Sequence, residues 1–559
     1  MMPPHARLFT AACILALSVA CSGASPGSPP APVGSLAEIE LAYHDLRYLK
    51  DQMDLTTYRG ADRSSRGETI PELLARYKTF RPAVIALLAR PDSQTLGKDD
   101  RRALAIMRRT MQSELVEQLH VSASAASTAP PHCTYSAESL ASRGRDSLSE
   151  RVYDCYGYAA RTILIGGDTL DRLTILGMLG RTEDPETRKR LFLALDPVWR
   201  SVNGDNSARS PYRHLVRLDA PSWKAGESPV DASARRLGID PAAMEKWLVS
   251  ILEKWRDITN DSLIEPWDAY YEAGKASRAL SPRISLEELR AVNDRFYRQL
   301  GADPVTLGIQ YDLAPRADKT PVAFTTFGRR GIARGEVWQG GEPWIFATYR
   351  IGGFDNLAEM LHETGHGIHI AGIRARPALH DWPDSDPYTE ALADLAALEM
   401  YEPAWQMRHL GDSVQLAESL RAKYFSIVMD IAWSLFEARV HRDPTLDPNS
   451  VWTGITRDYL RIKPHNELSW WAMRGQLVNS PGYMMNYAIG AIIIADLRQH
   501  TLASRGVITE AGTDWYPWIS ARLYQFGLAR SSREVIEQFL GRPISPEAIL
   551  ADMGRATAR

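Results

Sequence analysis

His362-Glu363-Thr364-Gly365-His366 has the form HExxH, and Glu390-Ala391-Leu392-Ala393-Asp394 follows it with two acids at helical spacing. On a helix, histidines four residues apart share one face, so both imidazoles can reach a single ion while Glu363 flanks it without binding. Nitrogen and oxygen donors of this kind suit zinc, and a reactive zinc site takes three protein ligands and keeps a position open for water. Glu390 and Asp394 stand in a segment that stays apolar through Leu395 and Leu398. Acids in apolar surroundings need a partner; the competing reading is a helix-surface glutamate with an aspartate cap. An extended metzincin site is excluded, because His369 stands where that pattern needs glycine, and His369 reads as a packed residue.

The flanks place this motif on a helix. After Gly352-Gly353, the residues Leu357, Met360, Leu361 and Thr364 recur on or near one face, with Asp355 as the expected cap. Before it, the runs Val322 to Phe327 and Trp344 to Tyr349 are β-branched and aromatic and are separated by glycines, which predicts a small β ribbon. Elsewhere the pattern is helical from Leu36 onward. Leu104, Met107, Met111 and Leu115 repeat at helical intervals, Asp240-Pro241 opens a helix, and Ser285 with Glu288 forms a capping box closed by Gly301. The polar stretch 201–228 reads as a surface loop. The apolar run from Tyr487 to Leu497 is too short to cross a membrane and reads as a buried helix.

At the amino terminus, Arg7 precedes an apolar run from Leu8 to Ala20, so residues 1–20 read as a signal peptide. Leu17-Ser18-Val19-Ala20-Cys21 resembles a bacterial lipobox, which makes Cys21 the lipid-anchor cysteine and residues 21–35 a flexible tether. The alternative is a simple secretory peptide. Of the four cysteines, Cys133 and Cys155 remain for the folded part, as a disulfide or as two thiols. These readings predict an exported protein, a periplasmic lipoprotein that touches a membrane only through Cys21. No internal repeat or second linker divides residues 36–559, which read as one helical domain with its catalytic part at about 320–500. The 559 residues are 45% hydrophobic and 24% charged with a net charge of −3, which describes no polyanion binder and excludes nucleic acid as the expected partner. The 15 Trp and 22 Tyr read mainly as large helix contacts.

With these residues in hand, the segment from His362 to Leu398 resembles the angiotensin-converting-enzyme (peptidyl-dipeptidase A) family and, more distantly, the thimet oligopeptidase family, both gluzincin metallopeptidases. The resemblance implies a mostly α, two-lobed helical fold with a deep central cleft and a small β ribbon beside the HExxH helix. It also implies Glu390 as the third ligand of one Zn2+ and Asp394 as the residue that orients a ligand histidine. Ser480-Pro481-Gly482-Tyr483 through Tyr487 resembles the family's substrate-binding tyrosine segment, which makes Tyr487 the donor to the oxyanion and Tyr483 a substrate contact. Where the family carries a histidine before that tyrosine, this chain has Leu477. Gln476 is the expected substitute and His465 the alternative. Arg474 falls near the family's lysine for a terminal carboxylate, and a surface arginine is an equal reading. Family precedent also makes Phe346, Ala347 and Thr348 an edge strand that pairs with extended substrate.

The implied function is zinc-dependent hydrolysis of short peptides, by a dipeptidyl carboxypeptidase or an oligopeptidase, with Glu363 as the acid-base residue. A peptide-binding lipoprotein that has lost turnover is the alternative, prompted by the missing histidine, and hydrolysis of non-peptide amides is a third. The resemblance runs from the ribbon to the Ile-rich helix; the amino-terminal half matches in helical character alone.

Overall fold

Several helices of the computed structural model begin where a side chain takes up a free amide group. Residues 35–113, 133–223, 226–259, 262–316, 319 and 322–557 are described, so the signal-peptide and Cys21 readings, and the tether through residue 34, lie outside them. Asp240 accepts the Ala242 amide at 2.8 Å and opens Pro241–Ile258, while Ser285 and Glu288 exchange bonds of 3.2 and 2.9 Å at the start of Leu286–Gln299. Such caps satisfy amide groups that have no partner within the helix. Asp355 does not cap the histidine helix, Phe354–Gly372. That helix starts after Gly353, whose φ of 111° disfavours any side chain, and the Phe354 amide is taken by Ser281 Oγ at 3.1 Å.

Two sequence expectations change. Residues 201–228 are not one loop, because a helix runs Pro211–Asp219, capped by Ser210 and carrying buried Tyr212, Leu215 and Val216. Three apolar residues at helical spacing were hidden by polar flanks. The second change concerns the ribbon, which is a three-stranded sheet. Glu342–Phe346 lies in the middle, parallel to Gln310–Asp312 and antiparallel to Phe324–Arg329. Phe346, Ala347 and Thr348 therefore do not form an edge. The Ala347 amide donates to Asp312 O at 3.1 Å, its carbonyl accepts from Lys319 Nζ at 2.6 Å, and Thr348 lies past the strand's end. Gln310–Asp312, only three residues long and without alternation, had occupied the place left for substrate.

The fold is mostly helical and two-lobed around this small sheet, and the histidine helix is shared by two hydrophobic cores. Its Leu357, Met360, Leu361 and Ile368 belong to the main core, which draws residues from Leu140 to Ala556. Its Ile370 belongs to a second core, built from Ile39 to Met111 together with Phe327 and Leu379. Burying both ends of one helix in different cores fixes it against translation. Cys133 and Cys155 form a disulfide with their Cα atoms 5.7 Å apart, and closing 22 residues in this way contributes about 3 kcal/mol by the chain-entropy argument. The apolar run 487–497 lies inside the buried helix Met484–Arg505. No helix among the described residues is long and apolar enough to cross a membrane.

Candidate metal centre

Packing against the histidine helix, the carboxylate helix Asp386–Ala397 brings Glu390 to both imidazoles. The approach is close because Gly365, inside the motif, has no side chain: a Cβ there would stand 2.0 Å from Ala393 O. Glu390 Oε2 consequently lies 3.4 Å from His362 Nε2 and 3.8 Å from His366 Nε2, and one donor atom from each of the three residues falls within 4.8 Å of the others.

Asp394, one turn after Glu390, meets His362 Nδ1 at 2.7 Å. A neutral ring with its proton on Nδ1 toward that carboxylate would keep the Nε2 lone pair for an ion, whereas a protonated ring gives Nε2–H to Glu390. Burial alone would lower the His362 pKa, but the charge and hydrogen bond of Asp394, then Glu390, outweigh it and raise it. Burial would raise Glu390, yet hydrogen bonds from His362 and His366 pull it well below the carboxylate range. His366 is oriented by packing instead, its ring 5.5 Å from that of Trp382. Two imidazoles and an ionised carboxylate converging from two rigid helices fit a zinc ion by donor type, number and spacing.

Glu363 is 6% exposed and stands beside these three without joining them. Its Oε2 accepts the Thr325 hydroxyl at 2.7 Å, which ties the histidine helix to the free edge of the sheet. Thr325 and Trp382 went unnoticed in the sequence. No spacing rule relates a strand residue to a helix far along the chain, although the strand's alternation could have flagged which side Thr325 faces.

His362, Glu363, His366 and Glu390 line a cavity of about 440 Å3 with Phe324, Thr325, Trp382, Tyr483 and Tyr487. The two tyrosine rings lie 5.6 Å apart, and burial raises both hydroxyl pKa values. They leave a turn at Ser480–Gly482 that is held from both sides. Gly482 has φ of 81°, and a Cβ there would stand 2.9 Å from the Pro229 backbone. Its amide donates to Glu437 Oε1 at 2.8 Å. Glu437 is fully buried, and burial pushes its carboxyl up to about 8.

The remaining sequence expectations scatter. The Gln476 side chain lies near Tyr487 and favours its ionised form, and Leu477 is buried. Arg474 lies 4.7 Å over Trp433 and pairs with Asp430; its charge acts on Tyr487, but it is not itself in the lining. His465 sits between Glu265 and Glu467 at 3.0 and 2.7 Å, also outside the cavity. Ala347 and Thr348 do not line it. His369 is wholly buried between Trp382 and Tyr524, and burial pushes its pKa down to about 3.

No family model matches this sequence, and no curated protein matches it. Solved structures do. A structure of PZ peptidase A with inhibitor 2 superposes with a TM-score of 0.59 at 13% identity, over 94% of this chain and 96% of that one. The M32 carboxypeptidase from Deinococcus radiodurans R1 gives a TM-score of 0.53 at 13% identity, over 93% and 98%. At this identity the likeness is one of fold, shared with these two peptidases.

Proposed function

We propose that this chain is a zinc-dependent peptidase acting on short peptides, with the ion held by His362, His366 and Glu390. The observation that carries the proposal is the convergence of those three donors on the wall of a cavity, with a fourth, non-ligating acid beside them. Zinc bound there supplies Lewis acidity, lowering the pKa of a water and polarising a carbonyl.

The chain's own groups divide the remaining work. Glu363 takes a proton from the attacking water and passes it to the departing amine, and the Thr325 hydroxyl keeps its carboxylate turned toward the cavity. Tyr487 donates to the carbonyl oxygen as charge develops on it, with Gln476 bracing the phenol in place of the family's histidine. Asp394 holds His362 in the ligating tautomer. The edge at Phe324 and Thr325, in place of the expected Phe346 to Thr348, offers its backbone to an extended peptide.

Internal cleavage is the favoured mode over release of carboxy-terminal dipeptides. Capture of a terminal carboxylate calls for a cation, and among the described residues no lysine or arginine lines the cavity; Arg474 is engaged by Asp430. Within the peptidases the resemblance of sequence is to the angiotensin-converting-enzyme family, through HExxH, ExxxD and the tyrosine segment. We place the protein outside the cytoplasm, anchored at Cys21, and the Cys133–Cys155 disulfide supports an oxidising compartment. The second reading, a peptide-binding lipoprotein without turnover, draws on buried Leu477 at the family's histidine position.

Zinc-loaded protein incubated with peptides of graded length, blocked at either end, tests both readings through product masses with and without a chelator. Chelator-sensitive internal cuts in doubly blocked peptides are expected. Dipeptides released only from free carboxy termini would reverse the assigned mode, and intact peptides throughout, with zinc bound, would favour the binding protein.

A further inference from the structure

We propose a second ligand site, for a phosphate group, in the cavity of about 800 Å3 lined by His44, Arg66, Arg76, Arg329, Arg330 and Arg334. The site lies apart from the metal centre, and the proposal does not depend on the peptidase reading. Its arginines arrive from separate segments: the turn after helix Leu36–Tyr58, helix Ile70–Ala89, the end of strand Phe324–Arg329, and the hairpin that begins Ile332–Arg334. Such a gathering is not a property of the whole chain, whose net charge is −3.

Two of the five guanidinium groups are already matched. Arg76 pairs with Glu68, and buried Arg330 is held by Asp51 at 2.7 Å and Asp381 at 3.1 Å. Arg66, Arg329 and Arg334 have no carboxylate partner among the described residues, and the only acid in the lining is Asp45. Arg66 lies 4.7 Å over the Tyr48 ring, and Arg329 gives Nη1 to Gly340 O at 2.7 Å, so each is steadied with donors to spare. Like charges held together in this way repel, and an anion relieves the repulsion.

His44 supplies an independent observation. It is 7% exposed and lines the same cavity, yet among the described residues neither ring nitrogen has a hydrogen-bond partner, Nδ1 standing 3.5 Å from Asp45 Oδ1. A buried donor or acceptor without a partner is costly. Guanidinium forks match phosphate oxygens in pairs, and a tetrahedral anion accepts from more directions than a planar carboxylate. The volume exceeds that of bare phosphate, and apolar Leu49 and Phe80 in the lining leave room for an organic remainder. A soluble phosphate ester and a phospholipid headgroup share this chemistry.

Titration calorimetry of the full chain with inorganic pyrophosphate tests the site, and vesicles of phosphatidylglycerol or phosphatidylcholine added as competitors separate the sources. Saturable binding is expected, weakened at least roughly tenfold by Arg66→Glu with Arg334→Glu. Both residues are exposed, and reversal of two exposed arginines outside the cavity, Arg190→Glu with Arg200→Glu, should leave binding unchanged. Competition by phosphatidylglycerol alone assigns a headgroup, and binding without vesicle competition assigns a soluble ester. Absence of saturable pyrophosphate binding, or equal weakening in both double variants, overturns the proposal.

Discussion

The two ends of the cleft are built on different terms. At the metal end, His362, Glu363 and His366 ride one regular helix and Glu390 with Asp394 another, so helical pitch sets nearly every separation. At the tyrosine end, Tyr483 and Tyr487 follow a turn whose place is set by Pro229 on one side and Glu437 on the other. A periodic backbone stores geometry in local spacing, whereas a turn borrows its position from residues that are distant in sequence. The metal end should therefore fail through its own residues and the tyrosine end also through residues that never touch substrate.

Substitution at the metal end should cost most. Glu363→Gln removes the proton carrier and keeps the ligand set, so kcat should fall roughly a thousandfold with zinc content unchanged by metal analysis. An undiminished rate with zinc bound would remove the chemistry assigned to that end. On the proposed role of Tyr487, Tyr487→Phe should lower kcat about a hundredfold while KM moves little. A change confined to KM would make Tyr487 a binding contact only.

The smallest effect tests the borrowed position itself. Glu437→Ala strips the acceptor from the Gly482 amide and should reduce kcat roughly tenfold by shifting the tyrosines, while Glu437→Gln, which keeps an oxygen there, should stay close to the parent. Burial raises the Glu437 carboxyl to about 8, so the stability linked to its proton is full below the ordinary carboxylate range and is lost as pH rises through about 8. Denaturation followed from pH 6 to 9 should show the parent losing stability relative to Glu437→Gln. Parallel curves, or equal activity of the Ala and Gln variants, would mean that the turn holds itself.

The same division explains what could be read in advance. HExxH, ExxxD and the caps at Asp240 and Ser285 are local patterns, and the structure sets them in the helices their spacing predicts. The disulfide needed only two cysteines left over after the amino-terminal pair was set aside. The sheet was half legible: two strands were evident from composition, but Gln310–Asp312 carries no pattern of its own, and its pairing covers the edge at Phe346 and leaves the one at Phe324. Thr325 against Glu363, and Glu437 beneath Gly482, join residues that only the tertiary fold makes neighbours. The arginine cavity was out of reach for the same reason, since its cations come from four places in a chain of ordinary charge.

Gly365 occupies a position that the HExxH pattern writes as free. In this protein its missing side chain sets how near the two helices come, and a methyl group would collide with Ala393 O. A tolerance map of the motif should therefore show two kinds of intolerance side by side: chemical at the histidines and Glu363, and metric at Gly365, where even alanine would drive Glu390 out of reach of the ion. Transplanting the five letters onto another helix pair would carry over the ligands and leave their separation behind.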